Sequence, residues 1–335
     1  MAQTQRHLSL IVPAQIHPAL ASAPKSRTKA LRTLLARGQT SACAASRERL
    51  LFDLFAAEYD KTMPPPVAAV THAYDAGSAN DNAGTGWWLR ADPVSLRPDG
   101  DRLLMLGNHA LSLRADEAAA LGAELHDVFA ARGFEFSTPH PKRWYLRLAQ
   151  DPCVTLTALD DVVGHDIMHH LPQAQDAREA ARWRSLLNEV QMQLHVSPVN
   201  RTRAARGEVP VNSVWFWGGG PLPVVASQRF VQVWSHEPIS LGLARLNGAA
   251  SAAVPASGAE WLQRATLAGS HLVAIAPPAA ADTGHCLEDF SATWCAPLLS
   301  ALKSGAIETL DMYTEDGRVF HNTRRTLRPW FYRFI

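Results

Sequence analysis

Two pairs of side chains set just after predicted strands carry the first chemical suggestion. Asp282 and His285 follow the apolar run Leu272–Ala276, and Asp316 and His321 follow the run Ile307–Tyr313. Carboxylates and imidazoles at the ends of parallel strands are the donor set of a hard-metal or phosphate site. The same residues also read as turn chemistry, because Asp316-Gly317 after a strand is an ordinary turn and the histidines can be satisfied at the surface. Both readings stand. A third cluster, His165-Asp166-Ile167-Met168-His169-His170, sets two imidazoles four apart. That spacing binds a metal only on a helix, where such residues share a face. Gly164 before it and Leu171-Pro172 after it leave too little helix, so a surface loop is expected.

A different constellation lies between residues 200 and 220. Arg201, Arg203 and Arg206 gather beside Asn200, and guanidiniums in that position can clamp a carboxylate or phosphate or stay solvated. Downstream comes Asn212-Ser213-Val214-Trp215-Phe216-Trp217-Gly218-Gly219-Gly220, then Pro221-Leu222-Pro223. The aromatic part predicts a short buried strand, and the glycines let the chain leave it at angles other residues avoid. A ligand site at the strand end and a core strand with a glycine turn are both compatible with it.

Several catalytic patterns are absent from the sequence: no G-x-S-x-G nucleophile elbow, no phosphate-binding Walker loop and no dinucleotide G-x-G-x-x-G. With 335 residues, 47% hydrophobic and 19% charged, the chain is long enough for one large domain or two ordinary ones and has a globular composition. A formal net charge of +1 gives no footprint for nucleic acid. Cys43, Cys153, Cys286 and Cys295 form no C-x-x-C pair, which suits reduced thiols. The apolar run Leu8–Val12 is short for a signal peptide and no stretch approaches a membrane span, so a cytoplasmic, soluble protein is expected.

The elements that must position these residues alternate in two rhythms. Leu8–Val12 predicts a buried strand, followed by helices over Thr28–Arg37 and Arg47–Tyr59. Pro64-Pro65-Pro66 marks a boundary, and residues 75–86 read as a loop. The middle block predicts short strands at Trp87–Arg90, Leu103–Leu106, Phe134–Phe136, Arg143–Leu148 and Cys153–Thr157. Helices follow at Ala115–Arg132 and Ala177–Leu194. That pattern is α+β, an antiparallel sheet with helices on one face. From Val211 strand and helix alternate again: strands at Val231–Trp234, Leu272–Ala276 and Ile307–Tyr313, helices at Pro238–Leu246, Gly258–Leu267 and Leu287–Lys303. Pro297 must bend or end the last helix. The expected architecture is an α/β core over residues 1–65 and 208–335, interrupted by an α+β domain over 66–207.

Two runs then carry a resemblance. Ser197-Pro198-Val199-Asn200-x-x-Arg203 followed by Asn212-x-Val214-Trp215-x-Trp217-Gly218-x-Gly220 resembles the archaeal-type, cofactor-independent phosphoglycerate mutases. Together with Leu89–Pro93, Arg143–Leu146 and Leu186–Met192, the pattern is similar to the RpfE-type regulatory proteins of bacteria. The resemblance implies an alkaline-phosphatase-like core sheet with helices on both faces and an inserted α+β domain. It also implies that Asn200, Arg203, Asn212, Trp215, Trp217, Gly218 and Gly220 face a ligand. In the mutases two divalent metals sit among Asp and His at strand ends, beside a nucleophilic serine. This chain departs from that set. Val12 leads into Pro13-Ala14-Gln15 instead of Asp-Gly. The nucleophile region offers only Thr40 and Ser41, Ala281 stands where an Asp is expected, and Thr314-Glu315-Asp316-Gly317 lacks its histidine. The implied function is therefore a catalytically degenerate, regulatory relative that needs no cofactor. It would bind a phosphorylated or carboxylate small molecule or a regulatory partner protein, and neither nucleic acid nor membrane. The alternative is an active mutase or phosphohydrolase holding one divalent metal, manganese or zinc, on Asp282, His285, Asp316 and His321.

Overall fold

The computed structural model describes residues 5–12, 20, 23–77, 86–276, 283–314 and 316–327. The chain divides into two compact units, Met1–Glu58 with Val224–Ile335, and Tyr59–Pro223.

The first unit opens with β1 (Arg6–Ile11), α1 (Lys29–Arg37), β2 (Gln39–Ala42) and α2 (Arg47–Leu54). Ser46 starts α2 by accepting the Arg49 amide on its hydroxyl, satisfying one of the donors that a helix start leaves open. The second unit then contributes α3 (Val67–Asp75), β3 (Trp87–Asp99), β4 (Arg102–Leu106), α4 (Ala115–Ala130), β5 (Glu135–His140), β6 (Arg143–Leu148), α5 (Ala177–His195), α6 (Pro198–Ala205) and β7 (Ser213–Gly220). The chain returns to the first unit through β8 (Gln232–Trp234), α7 (Pro238–Asn247), β9 (Ala250–Ala252), α8 (Gly258–Arg264), β10 (Gly269–Ala274), α9 (Thr283–Phe290), α10 (Ala296–Ser304), β11 (Thr309–Thr314) and β12 (Arg318–Thr323).

In the first unit the sheet runs β2-β12-β11-β1-β10-β8-β9. The strands from β11 to β9 are parallel, and β12 and β2 add an antiparallel edge. Parallel strands need helical crossovers that bury both faces, which is why β1 and β10 lead into the fully buried apolar runs Leu10-Ile11-Val12 and Leu272-Val273-Ala274. One face packs Leu8, Leu10, Leu310, Met312 and Phe320 against Leu31, Leu34, Trp261, Trp294, Leu298 and Leu302. Pro297 falls in the first turn of α10, and the chain before it widens into a π-helical turn over Ser291–Cys295. A proline cannot donate to the preceding turn and crowds its carbonyl, and a π turn inside a helix accommodates both.

The second unit is an antiparallel sheet, β4-β3-β6-β5, with β7 added on β3. Leu89 and Ala91 point into a core with Leu121, Leu125, Phe129, Trp183, Leu187 and Val190 of α4 and α5. Alternation turns Trp88, Arg90 and Asp92 to the opposite face, and Trp88 and Tyr145 there meet Ala68 and Ala69 of α3. Helices therefore cover both faces, not one as the sequence predicts.

Three further expectations are corrected. β7 belongs to the second unit because its register is with β3, from Ser213 opposite Val94 to Gly220 opposite Trp88, so the return to the core comes at Val224 and not at residue 208. A buried apolar strand looks the same in either sheet, and only its partner tells them apart. β3 runs through Pro93 and Pro98 to Asp99, well past Arg90. Asn212 lends its side chain there: its Oδ1 accepts the Leu96 amide at 2.7 Å and its Nδ2 donates to the Leu96 carbonyl at 2.8 Å, extending the ladder where β7 begins. Cys153–Thr157 is no strand and pairs only at Thr155 with Gln173.

Candidate functional site

In open α/β sheets ligands collect beyond the carboxyl ends of the parallel strands. Here those ends are Val12, whose amide donates to the Tyr313 carbonyl at 3.0 Å, and Ile275, whose amide donates to the Ile11 carbonyl at 3.3 Å. Asp282 and the side chain of His285 lie outside the described residues. What the structure places at this rim is an ion pair. Arg47, the first residue of α2, donates its Nε to Glu237 Oε2 at 3.0 Å and an Nη to the Ile275 carbonyl at 2.8 Å, and a second Nη contact reaches Glu237 Oε1. Glu237 is the cap residue of α7, and the Ser235 hydroxyl accepts its amide at 3.0 Å. The two side chains are 14% and 19% exposed, so the pair is held largely out of solvent.

Asp316 and His321 sit at different places on the β11–β12 hairpin. Asp316 is exposed in the turn, where Arg318 Nε donates to it at 2.9 Å. The turn is closed by Gly317, whose φ of +81° is a conformation that glycine adopts without cost. His321 lies three residues further along β12 than Arg318, roughly 10 Å at the rise of a strand. Its Nδ1 is 3.0 Å from Asp311 Oδ1 and its Nε2 is 2.8 Å from Ser41 Oγ. The two residues are not brought together, and their geometry does not fit one shared ion. Among the described residues no three His, Cys, Asp or Glu side chains converge as metal ligands. His165 precedes a single 3-10 turn, Ile167–His169, that ends on His169, and neither histidine stands on an α-helix.

The Ser41–His321–Asp311 chain went unread in the sequence because it depends on strand register. Its signal was present in the turn: a hairpin that pairs Thr314 with Arg318 must pair Asp311 with His321.

The residues expected to face a ligand in the second unit all have partners within the chain. Asn200 is buried at the first turn of α6; its Nδ2 donates to the Leu194 and Val211 carbonyls at 2.9 and 2.7 Å, and its Oδ1 accepts the Val211 amide at 3.0 Å. Arg203 is 0% exposed, donates to Glu117 at 2.6 Å and to the Val209 carbonyl at 2.9 Å, and thereby ties α6 to α4. Trp215 donates its indole N–H to the Thr157 carbonyl at 2.9 Å. Gly218 and Gly220 bring β7 against α3: an added Cβ would lie 3.2 Å from Val67 Cβ at the first and 2.5 Å from Pro66 Cβ at the second.

Trp217 leads to a buried polar network. Its Nε1 donates to Asp92 Oδ2 at 2.8 Å. Asp92 is 0% exposed and is gripped by Arg90 through Nε and Nη2 at 2.9 and 2.8 Å. The Arg90 guanidinium lies 5.3 Å from the Tyr145 ring centroid and 5.1 Å from that of Trp217. Tyr145 donates to Asp75 at 2.5 Å, and Arg143 grips the same carboxylate with two contacts of 2.6 Å. Burial opposes the Asp75 charge, but the bonds from Arg143 and Tyr145 outweigh it and hold the carboxyl below its usual range. His72 stacks on Trp88 with ring centroids 3.8 Å apart, and burial pushes its imidazole down to about 4. This network locks α3 to β3 and β6; its charges are matched internally.

No family model matches the chain. A probable 2,3-bisphosphoglycerate-independent phosphoglycerate mutase of Geobacter sulfurreducens is 30% identical over 163 residues, 48% of this chain and 39% of that protein. The 2,3-bisphosphoglycerate-independent phosphoglycerate mutase of Methanothrix thermoacetophila is 34% identical over 122 residues, 36% of this chain and 29% of that protein. The similarity thus spans well under half the length of these curated relatives. Among solved structures, PH0037 protein of Pyrococcus horikoshii aligns over 96% of this chain and 87% of its own, with a TM-score of 0.53 at 11% identity. The cofactor-independent phosphoglycerate mutase of Thermoplasma acidophilum aligns over 95% and 89%, with a TM-score of 0.49 at 16% identity. The fold is the α/β architecture of the alkaline-phosphatase-like proteins, a central sheet covered by helices. In sequence the chain is similar to the phosphoglycerate mutases.

Proposed function

We propose that this chain is a phosphoglycerate-mutase-like protein that has exchanged phosphoryl transfer for regulation, of the RpfE type whose motifs it carries. It acts by holding a phosphorylated or carboxylate small molecule or a partner protein, and it resides in the cytoplasm. The observation that carries this reading is the Arg47–Glu237 pair at the strand ends. A two-metal phosphoryl-transfer centre gathers divalent cations on carboxylates, so that attacking and leaving oxygens are both held. Here the Glu237 carboxylate is neutralised by a guanidinium, which keeps its proton in any protein environment. That guanidinium is anchored to the end of β10 through the Ile275 carbonyl. A divalent ion approaching Glu237 would meet a fixed positive charge. The engagement of His321 by Asp311 and Ser41, and of Asp316 by Arg318, supports the same reading.

The second reading, an active metal-dependent mutase or phosphohydrolase using Asp282, His285, Asp316 and His321, is favoured by the 30% identity to a probable mutase over 163 residues. Incubating the purified chain with manganese and 3-phosphoglycerate and following 2-phosphoglycerate separates the two. The regulatory reading predicts formation no faster than the protein-free control. Turnover that a chelator abolishes would establish the second reading in its place.

A further inference from the structure

We propose that Ser41, His321 and Asp311 form a nucleophilic hydrolase centre, distinct from the strand-end rim, that cleaves small activated esters through an acyl-serine. The three side chains lie on one face of the antiparallel edge β2-β12-β11. Asp311 stands directly opposite His321, and Ser41 is opposite Val319, one diagonal step away. Alternation on each strand therefore puts all three on the same side of the sheet. With Ser41 Oγ 2.8 Å from Nε2 and Asp311 Oδ1 3.0 Å from Nδ1, both distances fall within the reach that a serine, its base and the group orienting the base require.

The accessibility gradient also suits the chemistry. Ser41 is exposed, the His321 side chain is 40% exposed and that of Asp311 28%, so the nucleophile is the most open and the orienting carboxylate the most covered. Asp311 accepts the Nδ1 proton, which leaves the Nε2 lone pair facing the serine hydroxyl. β2 is the terminal strand of the sheet, and its outer edge carries the backbone amides from which an oxyanion site would be drawn. The open sheet face favours a short acyl group on a good leaving group over a long chain that needs a deep pocket.

The step balances with water as the second substrate. The Ser41 oxygen bonds to the ester carbonyl carbon while its proton passes to His321 Nε2. The carbon–alkoxide bond breaks, and that proton leaves with the alcohol. Water then adds to the acyl-serine, gives its proton to Nε2, and the serine recovers it as the carboxylic acid departs.

The full chain treated with a fluorophosphonate probe should be phosphonylated at Ser41, located by peptide mass spectrometry, and should show a burst with p-nitrophenyl acetate. Ser41→Ala should abolish both, and Thr40→Ala should leave both unchanged. His321→Gln and Asp311→Asn, each checked for a native circular dichroism spectrum, should slow labelling about 100-fold or more. Absence of labelling, labelling at another serine, or labelling of Ser41 that both variants leave unchanged would overturn the proposal and make the three residues a polar cross-strand ladder. None of these outcomes depends on phosphoglycerate turnover, so this centre and the regulatory reading fail separately.

Discussion

The indole of Trp217 donates a 2.8 Å hydrogen bond to a carboxylate, Asp92, that has no access to solvent and whose other contacts are the Arg90 guanidinium and the Trp144 amide. A strand residue that the sequence offers as a ligand platform is thus one of the groups that make a buried charge tolerable. Replacing Asp92 with Ala should leave Arg90 buried and unmatched and cost about 3–5 kcal/mol of stability. Trp217→Phe keeps the ion pair but removes one donor, at a cost of about 1–3 kcal/mol. Urea unfolding of the full chain, followed by fluorescence and circular dichroism, checks the order of the two.

His72 sets an acid limb. Its folded pKa of about 4 lies below the ordinary 6.5, so as pH falls through 6.5 the unfolded chain takes up a proton that the folded chain refuses. Stability should fall between those values, by roughly 1.4 kcal/mol per pH unit at the steepest and about 3 kcal/mol in all. Above pH 6.5 this group adds no pH dependence. The Asp75 carboxyl, held below its usual range, contributes loss only at lower pH than that window. His72→Phe keeps an aromatic surface for Trp88 and should flatten the limb, which unfolding midpoints at pH 4.5 and 7.5 would reveal.

Gly220 is a close-approach position. With φ at +153° and Pro66 Cβ 2.5 Å from where a side chain would begin, Gly220→Ala should cost about 3 kcal/mol, part strain and part forced separation of β7 from the start of α3. Gly133→Ala is the control. It also has positive φ, at +75°, but nothing within 4 Å, so it should cost only about 1–2 kcal/mol. Thermal transitions of the two variants give the comparison.

What could be read from the chain and what could not divides along physical lines. Local periodicity located α4, α5 and the buried strands β1, β10 and β11, because burial on one stripe or on both faces writes itself into neighbouring residues. The length of β3 was hidden by Pro93 and Pro98, which act as breakers unless a sheet partner makes no demand on the missing amide. The place of β7 was hidden because its apolar pattern fits a core strand of either sheet. The mutase resemblance makes Asn200 and Arg203 ligand groups; that Asn200 answers the Leu194 and Val211 carbonyls, and Arg203 the buried Glu117 86 positions away, depends on how α6 packs. The serine–histidine–aspartate chain is a product of register, with Ser41 and His321 280 positions apart.

The pairing of β1 with both β10 and β11 has a consequence for how the molecule is made. Arg6 lies opposite Gly269, and His7 opposite Thr309, so β1 waits for roughly 260 further residues or more to be synthesised before either neighbour exists. At about 5–20 residues per second that wait is on the order of 10–50 s. The strands from β3 to β7, whose partners all lie between Trp87 and Gly220, can be completed within it. Synthesis therefore delivers a finished insert on a core that is still an open chain, and β1, a central strand of that core with both edges unpaired in the meantime, is the segment for which a nascent-chain chaperone has the longest opportunity.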